Sequence, residues 1–249
     1  MAGQLKNIKL ILAYEGTRYH GWQRQKNDVT IQQVIEEGLQ KMTRAPVSLV
    51  SSGRTDAGVH AVGQVCNFLT RTGIDPESIK RGLNSILPKD ILIREAEYVS
   101  PDFHARYRAR LKTYEYRILN RPEPDLFQRN YLWHIRIPLD REKMQGALSI
   151  LKGQQDFSSF RSSGSGNTNP VRNITKAQLH VSEKGFMRFV FEADGFLRHM
   201  VRNIVGTVVE AGTGRVDHDK FCEILEARDR SMAGAKAPPQ GLFLMEVLY

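Results

Sequence analysis

The sequence predicts an α+β protein made of two similar halves, each with a sheet covered by helices on one face. Three observations lead to this prediction. The chain has 249 residues, enough for one large domain or two of ordinary size. Amphipathic helical segments alternate with short apolar strands. The order strand, helix, strand, strand, helix, strand occurs in both halves, as in ferredoxin-like domains.

Local signals define the helices of the first half. Thr30 and Gln33 have the spacing of a capping box, which predicts a helix from residue 31. Asp75 followed by Pro76 predicts the start of a second helix, because Asp favours the N-cap and proline the first helical position. Strands are predicted at residues 6–14, 47–52, 64–69 and 91–98.

The second half follows the same order and adds one helix. Helices are predicted after Asp140, through residues 197–211 and after Asp217, and strands at residues 112–119, 175–181, 187–193 and 242–248. The seam between the halves is expected near residues 100–110, which gives domains 1–105 and 106–249. Residues 162–169 are rich in Ser, Gly and Asn and predict a flexible loop.

The charge balance indicates a polyanionic partner. The chain has 36 Lys and Arg against 27 Asp and Glu, a net charge of +9. Nucleic acid is the first expectation and an acidic membrane surface the second. The first 16 residues hold no signal-peptide core, and we expect a cytoplasmic protein without a membrane span. Cys66 and Cys222 stand far apart, without metal-ligand spacing, so neither a disulfide framework nor a zinc site is indicated.

A glycine-bounded acidic loop is the first candidate site. Residues 53–58 read GRTDAG between two predicted strands. The glycines have phosphate-loop spacing, but Val59 and His60 stand where a P-loop has Lys and Ser or Thr, so an NTPase is not supported. The loop would fix the directions of Arg54 and Asp56. Two interpretations stay open: a hairpin whose Asp accepts backbone hydrogen bonds, or a functional carboxylate.

A basic and aromatic segment is the second candidate. Residues 102–118 read DFHARYRARLKTYEYRI, and in an extended strand every second side chain projects from one face. Such a track would suit RNA phosphates and then a stacked base, although a charged edge strand is the alternative. The predicted track consists of His104, Arg106, Arg108, Arg110, Lys112, Tyr114 and Tyr116.

Helical spacing in residues 196–206, FLRHMVRNIVG, places two arginines four residues apart. Met200 and Ile204 would form an apolar face, with Arg198 and Arg202 on another. Such arginines are ordinarily surface residues. One of them could instead be the anchor of a buried carboxylate, which needs a cation to stay ionised.

Together these motifs resemble the TruA family of tRNA pseudouridine synthases. The matching segments are GRTDAGVHA, GWQRQ, LKTYEYRI, DFSSF and HMVRNIVG, spread over nearly the whole chain. The resemblance implies the pseudouridine synthase fold, with two ferredoxin-like domains sharing one extended antiparallel sheet, and a homodimer. It also implies the reaction: isomerisation of uridines 38, 39 and 40 of the tRNA anticodon stem-loop, without a cofactor or metal.

The resemblance also assigns roles to individual residues. The family's catalytic aspartate matches Asp56, its base-stacking tyrosine Tyr114, and the basic partner of the aspartate Arg202. Arg54 matches the arginine that helps hold the target nucleotide out of the stack. The charged track adds three expected substrate contacts: Arg106, Arg110 and Lys112.

Two other functions stay open on the sequence. A synthase of the same family could act on other tRNA sites or other RNAs, and its motifs would look the same. A non-catalytic RNA-binding protein could also use two ferredoxin-like halves and a basic, aromatic strand. The chemical route is open as well, since a single carboxylate either attacks C1′ or removes a sugar proton to give a glycal.

Overall fold

The computed structural model describes residues 4–164 and 169–249. The described residues form ten strands and five α-helices, which confirms the predicted mixed fold of strands and helices. The chain divides into two compact units. Unit 1 comprises Met1–Arg110 and Leu244–Tyr249, and unit 2 comprises Leu111–Phe243.

The end of the chain belongs to unit 1, whereas the predicted second domain ran to residue 249. The backbone N–H of Arg110 donates to the carbonyl of Leu248 at 2.8 Å. The Tyr249 hydroxyl donates to the carbonyl of Ala105, also at 2.8 Å. The apolar pattern of a strand identifies the strand but not its partner, so the sequence does not reveal this assignment.

Unit 1 is a sheet with two helices. Its strand order is β4-β1-β3-β10, and β2 pairs with β3. The pairs β1–β3, β1–β4 and β2–β3 are all antiparallel. The elements are β1 (Lys6–Tyr14), α1 (Ile31–Thr43), β2 (Val50–Ser51), β3 (His60–Thr70), α2 (Pro76–Ile86), β4 (Ile91–Val99) and the end of β10 (Leu242–Leu248).

The core of unit 1 follows from the alternation along β1. Ile8, Leu10 and Leu12 are completely buried and alternate with half-buried Lys9 and Ile11. This alternation is what a sheet with helices on one face requires.

Both helices of unit 1 begin at the predicted caps. The Thr30 hydroxyl accepts from Gln33 N and the Asp75 carboxylate from Ser78 N. The Gln33 side chain bonds Glu37 instead of returning to Thr30, so only half of the expected capping box forms.

Unit 2 repeats the arrangement with more helices. Its strand order is β5-β9-β8-β7, and β6 pairs with β5 in the parallel direction, so the sheet is mixed. Helix α3 contacts α4, α5 and β8. The elements are β5 (Leu111–Asn120), β6 (Trp133–Ile135), α3 (Arg141–Ile150), β7 (Gly153–Asp156), β8 (Val171–Val181), β9 (Phe186–Ala193), α4 (Met200–Gly212), α5 (His218–Ala227) and the start of β10.

Helix α4 begins later than predicted. The predicted helix ran from residue 197, but His199 has φ 62° and ψ 5°, a left-handed conformation that ends the preceding turn. The helix therefore starts at Met200. Of the predicted loop at residues 162–169, residues 165–168 lie outside the described residues.

Within the described ranges, no helix combines the length and apolar character needed to span a membrane.

Candidate active site

The loop that contains Asp56 connects β2 to β3 in unit 1. It closes with a turn in which Val59 N donates to the Asp56 carbonyl at 3.1 Å, and Gly58 takes a positive φ of 76°. The Thr55 side chain is buried, Asp56 is half-buried and Arg54 is exposed. The loop thus buries Thr55 and leaves Asp56 partly exposed.

Residues 16–22 hold this loop by its backbone. Trp22 N donates to the Thr55 carbonyl at 3.0 Å, and Gly58 N donates to the Tyr19 carbonyl at 3.4 Å. Gly21 has φ 83°, and a Cβ at this position would lie only 2.6 Å from the Thr55 oxygen. Glycine is needed here both for the left-handed backbone and for the close approach. This explains the glycine of the GWQRQ motif.

A buried hydrogen-bond network links the Asp56 loop to strands β1 and β3. The hydroxyls of Tyr14 and Thr55 lie 2.8 Å apart. Gln64 Nε2 donates to the Gly53 carbonyl at 2.9 Å, and the Ser52 hydroxyl donates to Gln64 Oε1 at 2.6 Å. Burial raises the pKa of the Tyr14 phenol above its ordinary value, so this hydroxyl stays neutral. A satisfied buried network of this kind fixes the Asp56 backbone in one position.

Two further contacts anchor residues 16–22 themselves. Gly16 N donates to His60 Nδ1 at 3.0 Å. The Tyr19 hydroxyl donates to Asp90 at 2.7 Å, and Arg18 Nε donates to the same carboxylate at 3.0 Å. Burial raises the pKa of Asp90, but these hydrogen bonds outweigh burial and hold that pKa below its usual range. Asp90 is therefore ionised when it receives both donors.

Tyr114 lies on β5 in unit 2, with 8% of its surface exposed. Its ring meets Phe196 edge to face, with the centroids 5.0 Å apart and the planes at 80°. This geometry is favourable for an aromatic pair and fixes the ring. Tyr116, which the predicted track placed beside Tyr114, is instead fully buried, and its hydroxyl donates to the Pro238 carbonyl at 2.7 Å. Tyr116 is a core residue.

Arg202 projects from the first turn of α4 and is buried, with 7% of its surface exposed. Its Nε donates to the Ala237 carbonyl at 2.8 Å, and Ala237 N donates back to the Arg202 carbonyl at 3.0 Å. Gly206 of α4 lets residues 235–237 approach the helix, since a Cβ at Gly206 would lie 1.7 Å from the Ala235 oxygen. Arg202 is thus a positioned, buried cation and not a surface residue. Arg198, the other candidate, is exposed and precedes the helix.

The predicted extended track is wrong over residues 104–110. Arg108 N donates to the His104 carbonyl at 3.0 Å, which closes a turn, and β5 starts only at Leu111. The reason is that the His104 ring, through Nδ1, accepts from two backbone N–H groups and stabilises the turn. Arg106 and Arg110 are exposed on unit 1, and Lys112 is half-buried on β5 of unit 2. These cations do not form one row along a strand.

Within unit 1 the structure places Arg54 and Asp56 in one loop. Within unit 2 it places Lys112 and Tyr114 on β5 and Arg202 on α4. No group of three or more His, Cys, Asp or Glu side chains suited to a metal occurs in the described part of the chain.

The sequence did not identify the supporting residues Tyr14, Gln64 and Ser52. Gln64 lies inside β3 and Tyr14 ends β1, and in both strands a polar group appears in the sequence as an ordinary interruption. The pairing of β1 with β3 sets Leu12 opposite Gln64 and Tyr14 opposite Ala61, and it is this register that brings the Gln64 amide to the Tyr14 hydroxyl.

The sequence is similar to those of known proteins over both units. A family model described as tRNA pseudouridine synthase matches residues 10–108 and 147–249. The tRNA pseudouridine synthase A of Thermoanaerobacter sp. (strain X514) is 45% identical over 98% of this chain and 100% of its own length. That of Acetivibrio thermocellus is 46% identical with the same coverage. That of Bdellovibrio bacteriovorus is 43% identical over 97% of this chain and 94% of its own length.

Proposed function

Because this chain belongs to the tRNA pseudouridine synthase family, it is an isomerase that acts on tRNA, and we propose that its targets are uridines 38, 39 and 40 of the anticodon stem-loop. The choice of positions is supported by the resemblance of GRTDAGVHA, GWQRQ and HMVRNIVG to the TruA family. The names of the relatives, tRNA pseudouridine synthase A, give the family but no target position.

The observation that best supports a catalytic role for Asp56 is the way its loop is fixed. Backbone hydrogen bonds from Trp22 and to Tyr19, and the hydroxyl of Tyr14, hold the residues on both sides of Asp56. Asp56 itself is partly exposed. A fixed backbone that carries a partly exposed aspartate provides the preorganisation that a reacting group needs.

The chemistry explains why one carboxylate is enough. The N1–C1′ bond of uridine breaks, the uracil turns, and C5 bonds to C1′, after which C5 loses its proton and N1 gains one. Atoms and electrons balance without a co-reactant. Asp56 would promote departure of the base, either by attacking C1′ or by removing a sugar proton. A hydrolytic glycosidase would instead use two carboxylates and a positioned water.

Arg202 and Tyr114 are assigned to the same reaction. The buried Arg202 guanidinium would supply the positive charge that acts on the Asp56 carboxylate during the reaction. The Tyr114 ring, fixed by Phe196, would stack on the flipped uracil. Stacking of about 1 to 3 kcal/mol offsets a flipping cost of a few kcal/mol.

The remaining predicted contacts concern the rest of the RNA. Arg54 is exposed beside Asp56 and would occupy the space that the flipped nucleotide leaves. Arg106, Arg110 and Lys112 would contact phosphates, although not as a single row. We further propose a homodimer, on the TruA resemblance, and a cytoplasmic location, where tRNA is available.

Mapping of the modified positions tests this proposal. An unmodified tRNA transcript with uridine at 38, 39 and 40 would be incubated with the parent protein, treated with a carbodiimide that labels pseudouridine, and read by primer extension. Stops at these positions alone support the proposal. Stops elsewhere show a synthase with other target sites, and no stops with retained tRNA binding favour a non-catalytic RNA-binding protein.

A further inference from the structure

Tyr107 is an exposed aromatic residue that the proposed reaction does not use. It lies in unit 1, in the turn before β5, and 76% of its surface is exposed. Its ring stacks on the imidazole of His104, with the centroids 4.2 Å apart and the planes at 28°. The guanidinium of Arg106 lies 5.8 Å from the ring centroid. An exposed aromatic ring held between an imidazole and an arginine is the kind of group on which nucleic-acid-binding proteins stack bases.

The turn that presents Tyr107 is rigidly attached to the sheet of unit 1. Ala105 N donates to Asn67 Oδ1 at 2.9 Å, and the Tyr249 hydroxyl donates to the Ala105 carbonyl at 2.8 Å. His104 Nδ1 accepts from the N–H groups of Arg106 at 3.2 Å and Tyr107 at 3.3 Å. The imidazole is therefore fixed beneath the tyrosine ring, which loses little conformational freedom when a partner binds.

The charges around Tyr107 favour a polyanion. Arg106 and Arg110 are exposed, and no carboxylate of the described residues forms an ion pair with either. Arg108, between them in sequence, pairs with Asp102. Arg106 precedes Tyr107 in the sequence and Arg110 follows it, and neither guanidinium has a carboxylate partner among the described residues. Both are therefore available for phosphate groups.

We propose that Tyr107 stacks on an unpaired base of tRNA and that Arg106 and Arg110 contact the phosphates next to that base. This site is additional to Tyr114, because it would bind a nucleotide that is not modified. It rests on the proposed function in taking tRNA as the ligand. A base stacked on the fixed Tyr107 ring would hold the RNA in register while the target uridine reacts elsewhere.

Tyr98 is a matched control. It is also exposed, at 47%, and the Lys6 ammonium lies 5.1 Å from its ring centroid. Tyr98 is opposite Ile8 in the β1–β4 register, so it projects from the face of the sheet on which Ile8 is buried. The neighbouring Asn7 points to the other face, where its side chain bonds Phe103 of the segment that leads into the Tyr107 turn. The segment that leads into the Tyr107 turn is thus attached to the face opposite that of Tyr98.

The test measures binding of an unmodified tRNA transcript by the full chain and its variants. Tyr107→Ala is expected to weaken binding by about 5- to 100-fold, while Tyr107→Phe keeps the affinity of the parent, since stacking needs the ring and not the hydroxyl. Tyr98→Ala is expected to bind like the parent. Equal thermal melting temperatures of the variants would show that folding is unchanged.

Salt dependence separates stacking from charge. Tyr107→Ala is expected to leave the slope of log affinity against log salt unchanged, and Arg106→Gln to reduce it by about 1. In turnover, Tyr107→Ala is expected to raise KM with little change in kcat, because the stacked base does not react.

The outcomes also separate this inference from the proposed function. If the parent isomerises tRNA and Tyr107→Ala binds tRNA like the parent, the stacking site is wrong. An equal loss in Tyr98→Ala would overturn it too, since the effect would not be specific to this turn. If the parent binds tRNA without isomerising it and Tyr107→Ala still weakens binding, the stacking site stands and the proposed reaction fails.

Discussion

Gly21→Ala is expected to disturb the position of Asp56 without touching its side chain. Gly21 has φ 83°, where an alanine costs about 1 to 2 kcal/mol of folding free energy. The new Cβ would lie 2.6 Å from the Thr55 oxygen, and ordinary contact begins near 3.4 Å, so the Asp56 loop must move by about 0.8 Å. A misplacement of about 1 Å at a reacting group lowers turnover on the order of tenfold to a hundredfold.

Gly185→Ala is the matched control for this prediction. Gly185 has φ 77°, and a Cβ there would lie 2.5 Å from the Asn120 oxygen, so both kinds of strain are the same. Gly185 lies in the hairpin between β8 and β9 of unit 2, and this hairpin contains no proposed site residue. Both variants should lose similar free energy of unfolding in urea. Only Gly21→Ala should lose kcat at a temperature where both are folded.

Tritium release from C5-labelled tRNA measures kcat for each variant. Equal kcat values for the two folded variants would refute the idea that residues 16–22 position Asp56. A loss confined to KM would refute it as well, because a displaced reacting group lowers the rate of the bound complex.

Three further predictions concern single side chains. Tyr114→Phe should keep near-parent turnover, because stacking needs only the ring; a large loss of kcat would instead indicate an acid or base role for its hydroxyl. Arg202→Met should lower kcat by at least tenfold if the positive charge of Arg202 acts on the Asp56 carboxylate in the reaction. Arg230→Met removes another guanidinium, which donates to the Ala233 carbonyl in the segment beside α4, and it should lower stability but not kcat. If both lose kcat alike, the effect of Arg202 is structural. The pKa of Asp90 is lowered in the folded protein. Asp90 therefore stabilises the folded state at pH values above the ordinary aspartate pKa of about 3.9, and this stabilisation is lost as the pH falls through the lowered pKa. Urea unfolding should therefore show Asp90→Asn less stable than the parent at neutral pH, with the difference shrinking below about pH 4; a difference that is independent of pH would contradict this.

The helices were predictable because their starts are encoded locally. Thr30, Asp75, Asp140 and Asp217 each accept a backbone hydrogen bond at the start of the predicted helix. These contacts reach only three residues along the chain, so the sequence specifies them. Strands β1 and β10 were predicted with their observed limits for a similar reason, since their apolar pattern is continuous.

Features that depend on distant residues were not predictable. Strands β6 and β7 have three and four residues, and they are strands only because β5 and β8 pair with them. The turn at His104 resembles a strand in sequence, because its stabilising contact is an imidazole nitrogen that accepts from the backbone. A propensity for extended structure gives way to such a contact.

The same distinction applies to the candidate site. GRTDAG indicated a constrained loop from its glycines alone, and the structure adds the reason, which is the approach of Gly21 to Thr55. The hydroxyl of Tyr14 and the amide of Gln64 meet because β1 and β3 pair in a particular register. A register is set by the whole sheet and by its turns, and no short motif encodes it.

Tritium release by the parent protein and by Asp56→Ala shows whether Asp56 is the catalytic group. A tRNA transcript labelled at C5 of its uridines would be incubated with each protein without added cofactor, and tRNA binding and thermal melting would be measured in parallel. We expect release by the parent and none by Asp56→Ala, with tRNA binding and folding retained. Release by Asp56→Ala at the rate of the parent would show that this carboxylate is not the catalytic group.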